Sequence, residues 1–392
     1  MKPAYSRIIF LLFCILPTVV CVVGQKQILV FESGTNGFNT FRIPAIIQLP
    51  DKTLLAFCEG RVNGAGDFGN IKIVMKASRN GGISWGPLQT VVDAGVSQAG
   101  NPAPVVDLTD PEYPKGRIFL FYNTGNNQES AIRKGNGLRE VLYKTSVDGG
   151  ATWGEAVNIT LQTHKPYQPQ INPLYNFKDD WRSYANTPGH AIQFSVGRFN
   201  GRIFVAANHS QSAPKPKFTD YSAHGFYTDD HGKTFHISGS VTIPGSNEST
   251  AVQLSENKLM MNSRNQKGDT KARIISISSD GGNSWDTSYF DKTLIDPVNE
   301  ASILLLGYKK GKAILAFCNA ADSLKRDHLS LRISYNEGYS WTKKFLIDKN
   351  PVTEATDYTA YSDIVNIDRK RIGILYEKDG YRKIVFTVLK WK

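Results

Sequence analysis

Hydrophobic positions in this chain fall in many short runs of Val, Ile, Leu, Phe and Thr, and Gly, Asn and Asp break the runs before they reach helical length. That pattern predicts strands joined by tight turns. A different pattern marks the N-terminus, where Lys2 and Arg7 precede an apolar run from Ile8 to Val23. The run is short for a membrane span and of ordinary length for the hydrophobic part of a signal peptide. Residues 1–24 are therefore expected to be a leader cleaved after Gly24, and residues 25–392 to be one domain, secreted or periplasmic. Lipid attachment at Cys21 is the alternative, although Val20 is bulkier than such a motif prefers. No later stretch is long and apolar enough to cross a bilayer, so the mature chain is expected to have no transmembrane segment.

One short pattern recurs five times, a strand followed by Ser/Thr-x-Asp/Asn-x-Gly-x-Ser/Thr-Trp/Phe. The copies begin at Ser78, Ser146, Thr228, Ser278 and Ser334 and end at Trp85, Trp153, Phe235, Trp285 and Trp341. Their chemistry is that of a hairpin turn: Asp or Asn accepts backbone amides, Gly supplies positive φ, the hydroxyl closes the loop and the aromatic ring pins it. Spacings of roughly 50 to 80 residues suit four-stranded propeller blades with insertions. The fold class is therefore expected to be all-β, a six-bladed β-propeller with Asp-box turns. Such a ring gathers loops from every blade at one end of a central channel, so site residues need not be close in sequence. Residues 162–190, rich in Pro, Asn and Tyr, read as a long excursion between blades.

Composition narrows the picture further. Gly 34, Tyr 17 and Phe 20 fit strands and turns. Cys58 and Cys318 remain after the leader, too few for a disulfide-stapled scaffold, and their matching contexts Ala56-Phe57-Cys58 and Ala316-Phe317-Cys318 suit two buried thiols better than a bridge. A formal charge of +11 would suit nucleic acid, an anionic surface or an anionic substrate, but it is dispersed among acids instead of gathered in blocks and decides little; no nucleic-acid partner is expected. No metal, nucleotide or flavin motif is present, and no cofactor is expected. Sequons stand at Asn158, Asn208 and Asn247.

The residues with chemical promise lie far apart. Arg42 sits between apolar neighbours in Phe41-Arg42-Ile43-Pro44, an unusual setting for a surface arginine, and Asp67 lies in the glycine-rich stretch Gly64-Ala65-Gly66-Asp67-Phe68-Gly69, as a closing loop would be built. Phe-Arg-Ile-Pro near the mature N-terminus, together with the Asp-box turns, resembles the sialidase (neuraminidase) family of bacterial and animal proteins, over nearly all of the mature chain. The resemblance implies a retaining exo-α-sialidase acting on sialylated glycoproteins, glycolipids or oligosaccharides.

Carried over by motif, it implies that Arg42, Arg264 in Asn262-Ser263-Arg264-Asn265 and Arg326 in Lys325-Arg326-Asp327-His328 bind the substrate carboxylate. Planar guanidiniums suit that task because they grip a carboxylate bidentately and stay charged. It implies Asp67 as general acid/base, Arg61 as ligand to a ring hydroxyl, Tyr361 in Thr359-Ala360-Tyr361-Ser362-Asp363 as nucleophile, and Glu248 as its base. Glu377 in Leu375-Tyr376-Glu377-Lys378 would orient Arg42, and Asn101 in Gly100-Asn101-Pro102 would contact the sugar. A phenol suits attack beside the substrate's own carboxylate, because it approaches neutral and becomes charged only on reacting. An acid donating a proton near neutral pH needs its pKa raised by burial or a bound anion. His190 is given no catalytic role. A non-catalytic glycan-binding propeller, or a propeller glycosidase for neutral sugars, would leave gaps in this constellation or arginines without purpose.

Overall fold

The computed structural model describes residues 18–21, 25–351 and 357–392. The expected leader lies outside the described residues except for the strand Thr18–Cys21, which runs parallel to the edge at Lys343–Leu346. Strand pairing sorts the rest into six antiparallel blades. Blade 1 takes Thr40–Gln48, Leu54–Arg61, Ile71–Ser78 and Gln89–Val92, and blade 2 takes Gln98–Asp107, Arg117–Gly125, Arg139–Ser146 and Val157–Asn158. One parallel bridge, Ile71 to Gln98, joins these two into a single hydrogen-bonded sheet. Blade 3 is built on Trp181–Asn186, Ile203–Gln211 and Tyr221–Thr228, blade 4 spans Ser246–Gln253 to Thr287–Ile295, and blade 5 spans Ala301–Lys309 to Lys343–Asp348. Blade 6 has Thr359–Asp368, Arg371–Lys378 and Lys383–Lys390, and its fourth strand is the N-terminal Ile28–Glu32.

The five repeats form one turn with one set of bonds. In each, the first hydroxyl accepts from the glycine amide four residues on, as in Gly82 to Ser78 at 2.9 Å and Gly338 to Ser334 at 2.9 Å. The Asn or Asp accepts from the amide of the second Ser or Thr. These glycines hold φ between 82° and 90°, a region costly for any side chain. In four of the five turns the aromatic ring reaches beyond its own blade. Trp85 packs edge-on to Phe386 of blade 6, Trp153 to Phe57 of blade 1, Phe235 to Phe121 of blade 2 and Trp285 to Phe204 of blade 3. These four turns therefore staple blades 1 to 4 each to the one before it, whereas Trp341 packs on Phe317 of its own blade. Rings of this size contribute several hundred buried square ångströms in total, at roughly 25 cal/mol per Å² of apolar area. Cys58 and Cys318 are free and fully buried.

Between blades 2 and 3 the expected excursion is present, and it seals a group of three buried histidines, His164, His209 and His224. Trp181 stacks on His209 at 3.5 Å with the rings 9° apart. Burial pushes all three imidazoles down, His224 to about 3, and the nearby cations Lys165 and the histidines themselves add to the effect. Unfolded histidines take a proton near pH 6.5, so below that pH the unfolded chain binds more protons and the fold loses stability until the folded values are reached. Melting temperature is expected to fall as pH drops from about 6.5 towards 3, and more gently in His224→Gln. A scan of melting temperature against pH checks this; equal slopes for both proteins would refute it.

Candidate active site

In a four-stranded blade the loops between second and third strands open at one end of the ring, and the repeat turns, which follow third strands, open at the other. Asp67 and Arg326 lie in second-to-third loops of blades 1 and 5, at the end away from the repeats. Arg42, Asn101, Glu248 and Tyr361 lie at the same end, third or fourth in the innermost strands of blades 1, 2, 4 and 6. Each of those strands loses register there, between Arg42 and Ala45, Gly100 and Ala103, Ser246 and Ser249, and Thr359 and Ser362. Bulges bend a strand and re-aim its side chains, here into the channel. In two of them the residue before a proline takes positive φ, Ile43 at 58° and Asn101 at 53°. For β-branched Ile43 this is strain of order 1–3 kcal/mol, held by surrounding structure.

The holding group is Glu377, fully buried at the end of its strand. Its carboxylate accepts from Arg42 Nε at 2.7 Å and Nη2 at 3.3 Å, from the Ile43 amide at 2.9 Å and from the Tyr361 amide at 3.2 Å. One carboxylate thus fixes the arginine, the strained bulge beside it and the strand of the phenol. Burial works against the Arg42 charge, but Glu377 outweighs it and holds the guanidinium firmly protonated. Arg42 lies over the rings of Tyr361 at 5.3 Å and Tyr381 at 4.1 Å.

The Tyr361 hydroxyl donates to Glu248 Oε1 at 2.6 Å and accepts from Arg264 Nη1 at 3.0 Å. Arg264 also donates to Glu248 Oε2 at 2.6 Å. Arg326 lies 5.5 Å from the centre of the same ring, and its Nη1 donates to Tyr381 at 3.0 Å. The three guanidiniums converge on one phenol. Burial and the Glu248 carboxylate raise the Tyr361 pKa well above its ordinary value against the opposite pull of Arg264, Arg326 and Arg42. The phenol therefore carries its proton at rest, with an acceptor already in contact.

Asp67 and Arg61 stand at the other side of the mouth. Arg61 is buried, bonded to Glu59 Oε2 at 2.7 and 3.0 Å and to Asp67 Oδ1 at 2.7 Å. Desolvation at the mouth is the largest single influence on Asp67 and would raise its pKa, but Arg61, Arg42 and Arg326 together outweigh it and hold the carboxyl, whose side chain is 80% exposed, below the usual range. Of the two means of raising it, burial is thus outweighed in the free protein, and a bound anion remains. Asn101 borders the cavity, with its amide spent on the Asn186 carbonyl at 3.0 Å and its backbone N–H on Glu59 Oε1 at 2.9 Å.

Three participants were not singled out from the sequence. Glu59 anchors both Arg61 and Asn101, and a side chain at Gly100 would meet its carboxylate at 2.6 Å, so that glycine admits it. Tyr381 links Arg326 to Asp357, its hydroxyl donating at 2.8 Å. Deeper in the channel, Asp363 accepts from the Ile46 amide at 2.8 Å and from the His190 amide at 2.9 Å, and meets His190 Nδ1 at 2.7 Å. Burial alone would lower the His190 pKa, but Asp363 raises it. Only the Tyr-Ser-Asp spacing, which sends Tyr361 and Asp363 to one face of a strand, could have hinted at this. Asn208 is buried in the cavity wall and Asn247 is half-buried at its border, whereas Asn158 is exposed.

All nine expected site residues except Glu377 line one cavity of about 260 Å³, and Glu377 lies directly behind Arg42. The chain matches the BNR repeat-like domain family over residues 52–374. It is 30% identical over 361 residues to a sialidase of Micromonospora viridifaciens, covering 88% of this chain and 51% of that protein. It is 27% identical over 387 residues to an exo-alpha-sialidase of Aspergillus fumigatus, covering 91% of this chain and 84% of that one. The chain thus spans about half the length of the first relative. Among solved structures, a Hadza microbial sialidase superposes with a TM-score of 0.77 at 23% identity, over 93% of this chain and 68% of that one. The intramolecular trans-sialidase of Ruminococcus gnavus does so with a TM-score of 0.70 at 16% identity, over 93% and 97%. At such identities the superpositions speak for the propeller alone. The chain belongs to the sialidase family of BNR-repeat proteins.

Proposed function

We propose that this chain is an exported exo-α-sialidase that hydrolyses terminal sialic acid from glycoconjugates with retention of configuration. The observation that carries the reading is the Tyr361 hydroxyl, 2.6 Å from Glu248 and 3.0 Å from Arg264, in a cavity that also holds Arg42, Arg326 and Asp67. Arg42, Arg264 and Arg326 bind the substrate carboxylate. The Tyr361 oxygen attacks the anomeric carbon as its proton passes to Glu248, while Asp67 protonates the departing glycosidic oxygen. Water then attacks the glycosyl-tyrosine, giving its proton to Asp67, and Tyr361 leaves with the proton held by Glu248. Two inversions at one carbon give net retention. Release of 4-methylumbelliferone from its α-sialoside, with proton NMR of the first product formed, tests the reading. A β-anomer appearing first, or no release at all, would overturn it.

The Asp67 environment sets a pH signature. In the free protein the guanidiniums keep Asp67 ionised to lower pH than usual, so the alkaline limb of kcat/KM is expected at acidic pH. A bound carboxylate cancels part of that field, so the alkaline limb of kcat is expected at higher pH than that of kcat/KM. Asp67→Asn is expected to slow cleavage of a sugar leaving group by about 10² to 10⁴-fold and of an acidic phenol by less. Steady-state profiles on both substrates check this, and coincident limbs for the two parameters count against it.

A further inference from the structure

The residues assigned to the carboxylate and to bond breaking come from blades 4, 5, 6 and 1, a continuous arc of the ring. The remaining arc, blades 2 and 3, builds the opposite wall, in which Tyr184, Ala185 and Phe218 frame a cluster of polar and charged side chains. Arg139, buried at 4% exposure, donates to Gln98 Oε1 and, at 3.2 Å, to Glu129 Oε2. Glu129 Oε1 accepts from Ser183 Oγ at 2.5 Å and from the Tyr221 hydroxyl. All five of these side chains line the cavity, and Glu129 keeps 42% of its side chain exposed to it. Oε2 of Glu129 has a single donor, so it retains capacity to accept another.

In a six-membered sugar ring whose anomeric carbon carries the carboxylate, C5 is the ring atom diametrically opposite that carbon. With the carboxylate held by blades 4, 5, 6 and 1, the C5 substituent is directed at blades 2 and 3. We propose that this wall selects nonulosonic acids whose C5 substituent ends in a hydroxyl over those ending in an acetamido methyl group. The inference rests on the sialidase reading and adds the class of sugar to it. A methyl group pressed against Glu129 and Arg139 displaces their water and returns no hydrogen bond. A hydroxyl can donate to Glu129 and accept from Arg139, both charge-assisted bonds. Sites that bond a substrate hydroxyl discriminate against analogues lacking it far more strongly than apolar pockets discriminate by size.

The test uses three matched 4-methylumbelliferyl α-glycosides, with acetamido, hydroxyacetamido and free hydroxyl at C5. Expected is a kcat/KM at least about tenfold higher for the two hydroxyl-terminated sugars, with the ratio shrinking towards unity in Glu129→Gln. Calorimetry of the three 2,3-unsaturated free sugars on Tyr361→Phe reads the same preference without turnover. Equal or higher kcat/KM and affinity for the acetamido compound overturn the inference. If none of the three glycosides is cleaved, the hydrolase reading fails by itself, and the order of affinities decides for or against the wall.

Discussion

Tyr361→Phe is expected to lower kcat on an aryl α-sialoside by about 10³-fold or more, with KM changed only a few-fold. The phenyl ring keeps its place beneath Arg42 and Arg326, so the carboxylate clamp survives, but no oxygen remains to bond the anomeric carbon. Glu248 keeps its bond to Arg264 at 2.6 Å, so the lost hydroxyl strands no carboxylate. The stability cost is about 1 kcal/mol, that of one buried hydrogen bond, and a urea melt distinguishes lost chemistry from lost fold. Turnover within tenfold of the parent protein would remove Tyr361 from the nucleophile's role and return the question to the carboxylates.

Glu377→Gln is expected to act on both stability and activity. The carboxylate has no solvent exposure and neutralises Arg42 while bonding two backbone amides from different blades. Removing one member of a buried ion pair leaves the other charge without compensation, at about 3–5 kcal/mol. The amide retains one acceptor oxygen, so the strained backbone at Ile43 and the guanidinium compete for it. Both KM, through a misplaced Arg42, and kcat, through the strand of Tyr361, are expected to suffer. Urea midpoint and steady-state kinetics on one preparation measure this; a midpoint within about 1 kcal/mol of the parent would show that Arg42 does not depend on Glu377. Arg42→Lys offers a comparison, since a lysine keeps the charge and loses the fork.

The propeller was legible because its turns repeat: a hydroxyl, an Asp or Asn and a glycine recur at fixed offsets, and each offset became the same hydrogen bond. The partners of the repeat aromatics were not legible, because Trp85 meets Phe386 across a seam that joins the two ends of the chain. At the site, residues inside short motifs such as Phe41-Arg42-Ile43-Pro44 were readable from their unusual neighbours. Glu59 was not, although it adjoins Gly60 and Arg61, since nothing local shows that a strand-end carboxylate is buried beneath two ligands. The electrostatic state of Asp67 was equally hidden, because it depends on cations supplied by two strands of blade 1 and a loop of blade 5. Bulges occupy a middle position. Pro44 and Pro102 inside inner strands announce a broken ladder, but not that the break turns Arg42 and Asn101 into the channel.

Blade 6 is completed by Ile28–Glu32, the earliest strand of the ring, lying against Lys383–Lys390, the latest. While the polypeptide is being synthesised the ring is therefore an open horseshoe, and Arg42 waits without Glu377 or Tyr361 until the final segment arrives. The site is therefore completed last: a product that stops before residue 359 lacks both Tyr361 and Glu377, and loss of that segment is expected to abolish turnover instead of altering selectivity.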